Sequence, residues 1–200
     1  MNDKYIINIG RQLGSGGRLI GRQLAKDLNF AYYDKELISL ASQESGLNKE
    51  FFEKADEKNN FNFFKNFLGL QFSKNYLGND TLFKIQSDII KDLANLKSSV
   101  FVGRCADYIL REQPLTLNIF ITADIEDRAK RTAERKNISE AEALEYNKKT
   151  DRQRKEYYNF YSNRGWGRAS SYHLCINSSV LGLEKTTNYI LSFIKEKFNI

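Results

Sequence analysis

Gly14-Ser15-Gly16-Gly17 stands between a short β-branched run, Tyr5 to Ile9, and a segment whose apolar positions 20, 24, 25 and 28 share one helical face. Strand, glycine turn and helix in that order form a cradle for phosphate. Glycine lets backbone amides turn inward, and the helix sets its positive end against the anion. Arg18 follows directly and can clamp phosphate oxygens as a fork. Ser15 is the nearest hydroxyl for a phosphate or a metal ion. A plain tight turn is the competing reading of the same residues.

Two further residues sit where such a cradle needs partners. Asp34 follows the run Phe30 to Tyr33, and Arg104 follows Ser99 to Gly103. Asp34 can accept hydrogen bonds from a sugar or a base amino group, or simply cap a helix. Arg104 can grip an acceptor phosphate, or form a surface ion pair. Arg128, Arg131 and Arg135 repeat at three and four residues and so share a helix face, followed by Arg152 and Arg154 and then Arg164 and Arg168 around Trp166. Phosphoryl transfer is mostly positioning and neutralisation of charge on oxygen, which guanidinium groups supply. Interleaved Glu126, Asp127, Glu134, Glu140 and Glu142 would equally suit a solvated helix. Tyr157, Tyr158, Tyr161 and Trp166 could stack on a base or pack a lid. Asn177 and Ser178 suit either the adenine side of a nucleotide pocket or a turn.

The elements that must position these residues alternate. Strands are expected at 5–9, 30–33, 99–103, 115–122 and 172–176. Helices are expected after the glycine turn, from Asp34 to about residue 44, over 81–96, 106–111 and 124–136, from Ser139 into the 150s, and over 183–198. Such alternation predicts a doubly wound parallel sheet with ligands at the carboxyl ends of the strands. Residues 48–78 carry many Phe, Asn and Lys residues without clean periodicity. Phe61, Phe63, Phe64, Phe67 and Phe72 offer a patch for homodimerisation or a lid, or ordinary core packing.

The 200 residues are 41% hydrophobic and 28% charged, with a net charge of +6. This is the composition of a folded globular domain and excludes a disordered chain; the positive charge suits an anionic partner, or simply a soluble basic protein. A single histidine excludes a multi-histidine metal site. The two cysteines, Cys105 and Cys175, lack metal-ligand spacing and are expected as buried free thiols. No signal-peptide pattern or membrane-length apolar stretch is present, so a cytoplasmic protein without a membrane partner is expected. The arginines lie among acids without a basic-aromatic motif, so no nucleic-acid partner is expected.

The glycine turn departs from G-x-x-x-x-G-K-[ST]: Gly17-Arg18 replaces Gly-Lys, Leu19 replaces the magnesium-binding hydroxyl residue, and Gln12 holds the first glycine's spacing. The run Ile9 to Arg18 nevertheless resembles the opening of the cytidylate kinase-like family, a variant branch of the P-loop nucleoside monophosphate kinases. Tyr33-Asp34-Lys35-Glu36, the run Val102 to Leu110, Trp166-Gly167 and Ile176-Asn177-Ser178 resemble its later segments. The resemblance implies a three-layer α/β/α fold with a parallel five-stranded sheet and a helical lid. It implies one kinase domain over residues 1–200, with a helical insertion at about 46–96 and a lid at about 124–170. It further implies phosphorylation of CMP or dCMP by ATP with Mg²⁺. ATP phosphates would lie on Gly14, Ser15, Gly16, Gly17 and Arg18, and the acceptor at Asp34 and Arg104. Arg131, Arg152 and Arg154 would close on the phosphates. Val102 stands near where the family's enzymes carry an acidic residue. A P-loop kinase of another small molecule, or a non-catalytic nucleotide-binding module, is the alternative.

Overall fold

A computed structural model describes residues 3–36, 38 and 79–200. Five strands form the sheet: β1 (Ile6–Arg11), β2 (Ala31–Asp34), β3 (Ser99–Val102), β4 (Thr116–Thr122) and β5 (Leu174–Asn177). All four pairings are parallel, in the order β2-β3-β1-β4-β5. Helices α1 (Gly17–Leu28), α2 (Asn79–Leu96), α3 (Ala106–Ile109), α4 (Ile125–Lys136), α5 (Glu140–Ser162) and α6 (Ser178–Phe198) flank it. This is the three-layer α/β/α fold of P-loop NTPases.

Period-two alternation on the strands splits the apolar residues into two cores. Ile7, Ile9, Val100, Val102, Leu117, Ile119 and Ile121 face α1 and α6, meeting Ile20, Leu24, Ile190 and Ile194. Ile6 and Phe101 face the other way, toward Ile89, Ile90 and Leu93 of α2 and Ile109 of α3. Val102 therefore points into the first core, fully buried, and away from any ligand crevice. One polar pair interrupts the second face: Asn8 and Asn118 are in register across β1 and β4, and Asn8 Nδ2 donates to Asn118 Oδ1 at 2.9 Å.

The central strand β1 lies between β3 and β4, which run on from opposite sides of it. A crevice therefore opens where β1 ends, at Arg11. The strand expected at 172–176 is shifted to Leu174–Asn177, because Tyr172 is still leaving the short 3₁₀ turn Ala169–Ser171. The expected Ser139 cap is present as a reciprocal capping box with Glu142. Cys105 is buried as expected, but Cys175 is exposed, because β5 is an edge strand. The Phe-rich region 61–72, with its expected dimer contact, and most of the 46–96 insertion lie outside the described residues. Among the described residues no helix is long and apolar enough to cross a membrane.

Candidate phosphate and acceptor site

The glycine turn is built so that its carbonyls face outward and its amides inward. Gly14 and Gly16 take left-handed backbone, with φ of 79° and 78°, and Gly17 opens α1. Each carbonyl from residue 11 to residue 15 has a donor on the outside. Arg154 Nη1 donates to Arg11 O at 3.2 Å, and Ser15 Oγ to Gln12 O at 2.9 Å. Arg128 Nε donates to Leu13 O at 2.8 Å, and Arg131 Nη1 to Gly14 O at 3.1 Å. Ser178 Oγ donates to Ser15 O at 2.7 Å. Among the described residues, the amides of Gly14, Gly16 and Arg18 have no acceptor. Unpartnered amides in a left-handed turn at a helix N-terminus form an anion nest.

Helices α4 and α6 hold the turn in this shape. A Cβ on Gly14 would fall 2.8 Å from Arg128 Cα and closer still to its carbonyl oxygen. A Cβ on Gly16 would collide with the Leu183 side chain. Gly14→Ala therefore combines a left-handed alanine, about 1–2 kcal/mol, with overpacking against rigid backbone, about 1–3 kcal/mol. We expect a loss of about 2–5 kcal/mol in urea denaturation.

An ion pair buried beneath the turn ties it to both α4 and α5. Arg128 of α4 pairs with Asp151 of α5 through Nη2, with both side chains only 11% and 12% exposed. Asp151 Oδ1 also accepts from the Leu13 amide at 2.8 Å and meets Arg154 at 3.4 Å. Burial raises the Asp151 carboxyl above its ordinary range, against the Leu13 amide and the flanking arginines that favour its charge.

The expected site residues divide into those that meet at this turn and those that do not. Arg131 and Arg154 reach it, both part-buried. Arg152 lies on the outer face of α5, 79% exposed, with Glu156 at 3.3 Å. Arg18 pairs with Glu36, and with Asp34 at 2.7 Å. Asp34 is buried and also accepts from the Glu36 amide at 3.0 Å. Ser15 is fully buried, its hydroxyl turned to Gln12. Asn177 caps α6 by accepting from the Ser179 amide, and donates to Asp124 at 2.7 Å. Ser178, fully buried, anchors the glycine turn. Among the described residues no group of three His, Cys, Asp or Glu side chains could hold a metal ion.

Beside the turn lies a cavity of about 290 Å³. Among the described residues, four cations line it, Arg11, Lys35, Arg104 and Arg154, and one carboxylate, that of Asp107. Burial lowers Arg11 to about 9; Arg154 adds to this, Tyr32 and Asp34 oppose it, and Arg104 lowers it further. Lys35 is lowered by burial, then by Arg104 and Arg154. Burial first, and then their mutual repulsion, make these cations a favourable setting for an anion. At the floor, Tyr158 donates to Asp107 Oδ2 at 2.6 Å. Burial raises the Asp107 carboxyl, and the Tyr158 hydroxyl opposes the shift. Trp166 and Tyr172 close the wall, each packed on Phe120 with ring centroids 5.1 and 4.9 Å apart.

Arg104 enters this cavity on strained backbone. Gly103, Arg104 and Cys105 are left-handed in succession, with φ of 85°, 58° and 56°. Two adjacent non-glycine residues in that region cost about 1–2 kcal/mol each. Strain of this kind persists where surrounding contacts enforce it and concentrates at functional sites. Gly103 N donates to Ile9 O at 3.1 Å, and Ala106 N returns to Gly103 O at 3.2 Å, fixing the turn against β1. The Arg104 guanidinium lies over the Tyr157 ring at 5.8 Å.

The sequence model of the cytidylate kinase-like family matches residues 6–180. No curated protein matches the sequence. Among solved structures, an uncharacterized protein from Eubacterium ventriosum ATCC 27560 is 30% identical, covering 96% of this chain and 99% of its own, with a TM-score of 0.75. A shikimate kinase from Bacteroides thetaiotaomicron is 12% identical over 98% of this chain and 99% of its own, with a TM-score of 0.54. A gluconokinase from Sinorhizobium meliloti 1021 is 13% identical over 98% and 94%, with a TM-score of 0.53. At that identity the last two share the fold alone.

Proposed function

Because the chain belongs to the cytidylate kinase-like family, we propose that this P-loop phosphotransferase moves the γ-phosphoryl group of ATP to a small, hydroxylated, anionic acceptor in the cytoplasm. The observation that carries the reading is the cavity of four cations opening beside an amide nest whose carbonyls are all tied back. The nest suits the polyphosphate of ATP. The unpartnered Gly14, Gly16 and Arg18 amides would receive its oxygens. The donor set suits a magnesium ion held mainly by the nucleotide's own oxygens and water.

The acceptor's anionic group would meet Arg104, Arg154 and Lys35. Asp107, aligned by Tyr158, would orient a hydroxyl. Arg131 would act through Gly14, by holding the turn. Residues 124–170 would serve as the lid of a single 1–200 unit, docked on the turn by Arg128, Arg131 and Arg154. Transfer then needs positioning and charge neutralisation more than covalent chemistry.

Two observations favour a non-nucleotide acceptor over CMP. Asp34, which the family resemblance assigns to the acceptor, is engaged by Arg18 and is not part of the cavity lining. The cavity floor presents a carboxylate and a phenol hydroxyl suited to a polyol. The fold neighbours named as a shikimate kinase and a gluconokinase offer an analogy of the same kind. Family membership itself supports the second reading, CMP or dCMP as acceptor.

An ADP-release assay across hydroxylated carboxylic acids, sugar phosphates and nucleoside monophosphates separates the two. Saturable turnover with a small hydroxylated anion is expected, with CMP and dCMP at the ATPase background. Saturable turnover with CMP would replace the first reading by the second.

A further inference from the structure

The cation directly after the glycine turn does not serve the cavity. Arg18 is held by Glu36 and Asp34 on another side of α1. One residue earlier, at the first position of α1, the space a side chain would take is already filled by the stem of Arg11. A Cβ on Gly17 would lie 2.7 Å from Arg11 Cβ and 3.1 Å from Arg11 Cγ. Arg11 is the last residue of β1. Its stem crosses Gly17, and its guanidinium ends against Gly103, lining the cavity. No acceptor among the described residues holds that guanidinium. Burial makes its charge costly, Arg154 and Arg104 add to the cost, and Tyr32 and Asp34 offset only part of it.

In the ordinary motif a lysine next to the last glycine reaches the β- and γ-phosphates. We propose that here Arg11 supplies that phosphate-binding cation, reaching the nucleotide from the end of β1 through the space that Gly17 leaves open. Glycine at position 17 and arginine at position 11 are then one device: either position can carry the cation, but both cannot carry long side chains together. A guanidinium also binds differently from an ammonium, offering two parallel donors to the phosphate oxygens. This inference rests on the phosphotransferase reading.

Titration calorimetry with ADP tests it on four forms of the full chain: wild type, Arg11→Ala, Gly17→Lys and the double variant. Gly17 lies outside the left-handed region, so its backbone accepts lysine. Arg11→Ala is expected to weaken ADP at least tenfold. Gly17→Lys alone is expected to weaken it too, since two stems contest one space. The double variant is expected to recover most of the lost affinity.

Arg11→Gln, which keeps the bulk and removes the charge, stands in if Arg11→Ala does not fold, with the same tenfold loss expected. Arg11→Ala or Arg11→Gln binding ADP as tightly as wild type overturns the proposal, as does a double variant no tighter than Arg11→Ala. Wild type without affinity for ADP overturns the phosphotransferase reading itself, an outcome visible before any variant is compared.

Discussion

Asp151→Ala is expected to lower stability by about 3–5 kcal/mol, the cost of stranding one member of a buried ion pair. Arg128 would remain buried against the glycine turn without its carboxylate, and the Leu13 amide would lose its acceptor. The loss does not mean that the pair is a net source of stability. Burial raises the Asp151 carboxyl despite its favourable neighbours, so desolvation outweighs pairing. Replacing both partners by apolar residues, as in Arg128→Met/Asp151→Leu, should therefore restore a substantial part of the stability. It should not restore ADP binding, because Leu13 is then no longer fixed. Urea denaturation and ADP titration on the two variants separate these effects. A single variant within about 1 kcal/mol of wild type would show that the pair does not hold the turn.

Arg104→Gly should act mainly on activity, with turnover falling about 10²–10³-fold. Glycine takes the left-handed backbone at φ 58° without penalty, which releases about 1–2 kcal/mol. Against this stand the greater entropy of glycine in the unfolded chain, about 0.5–1 kcal/mol, and the lost contact with Tyr157, about 0.5–1 kcal/mol. These terms oppose one another, and the denaturation midpoint measured beside turnover separates lost activity from lost fold. Arg104→Lys keeps the charge but not the fork, and should fall between glycine and wild type. Normal turnover in Arg104→Gly would remove Arg104 from the site. A large drop in its denaturation midpoint would make the residue structural.

The fold was legible because its strands are short apolar runs ended by glycine or a charge, and because α1, α4 and α6 carry clear helical faces. The glycine turn and Arg104 were legible for the same reason: both directly follow a buried strand, which fixes where they emerge. The partners of the turn were harder to read. Arg128 and Asp151 are 23 residues apart on different helices, and nothing in their spacing announces that they meet beneath Leu13. The arginine stripe on α4 was visible, but not that Arg128 and Arg131 donate to the carbonyls of Leu13 and Gly14. Three-and-four spacing defines a face, not what the face meets.

Arg18 and Arg11 show the limit most directly. A motif read along the chain puts the cation at position 18, whereas the rotation of α1 sends that side chain to Glu36 and Asp34. The residue that reaches the cavity, Arg11, sits seven positions earlier, at a strand end. The usable sequence signal was the glycine at position 17, whose missing side chain makes room for Arg11. Asp107 was likewise hidden, because its place in the cavity follows from the left-handed run at 103–105, which only glycine at 103 hints at.

The most direct measurement is a crystal structure of the full chain with ADP and Mg²⁺. The β-phosphate is expected within hydrogen-bonding distance of the Gly14, Gly16 and Arg18 amides. The cavity of Arg11, Arg104 and Arg154 should then open on the side where the next phosphoryl group would lie. ADP found with its phosphates away from this turn, at full occupancy and with the turn itself unchanged, would contradict the assignment of the turn and the cavity to phosphoryl transfer.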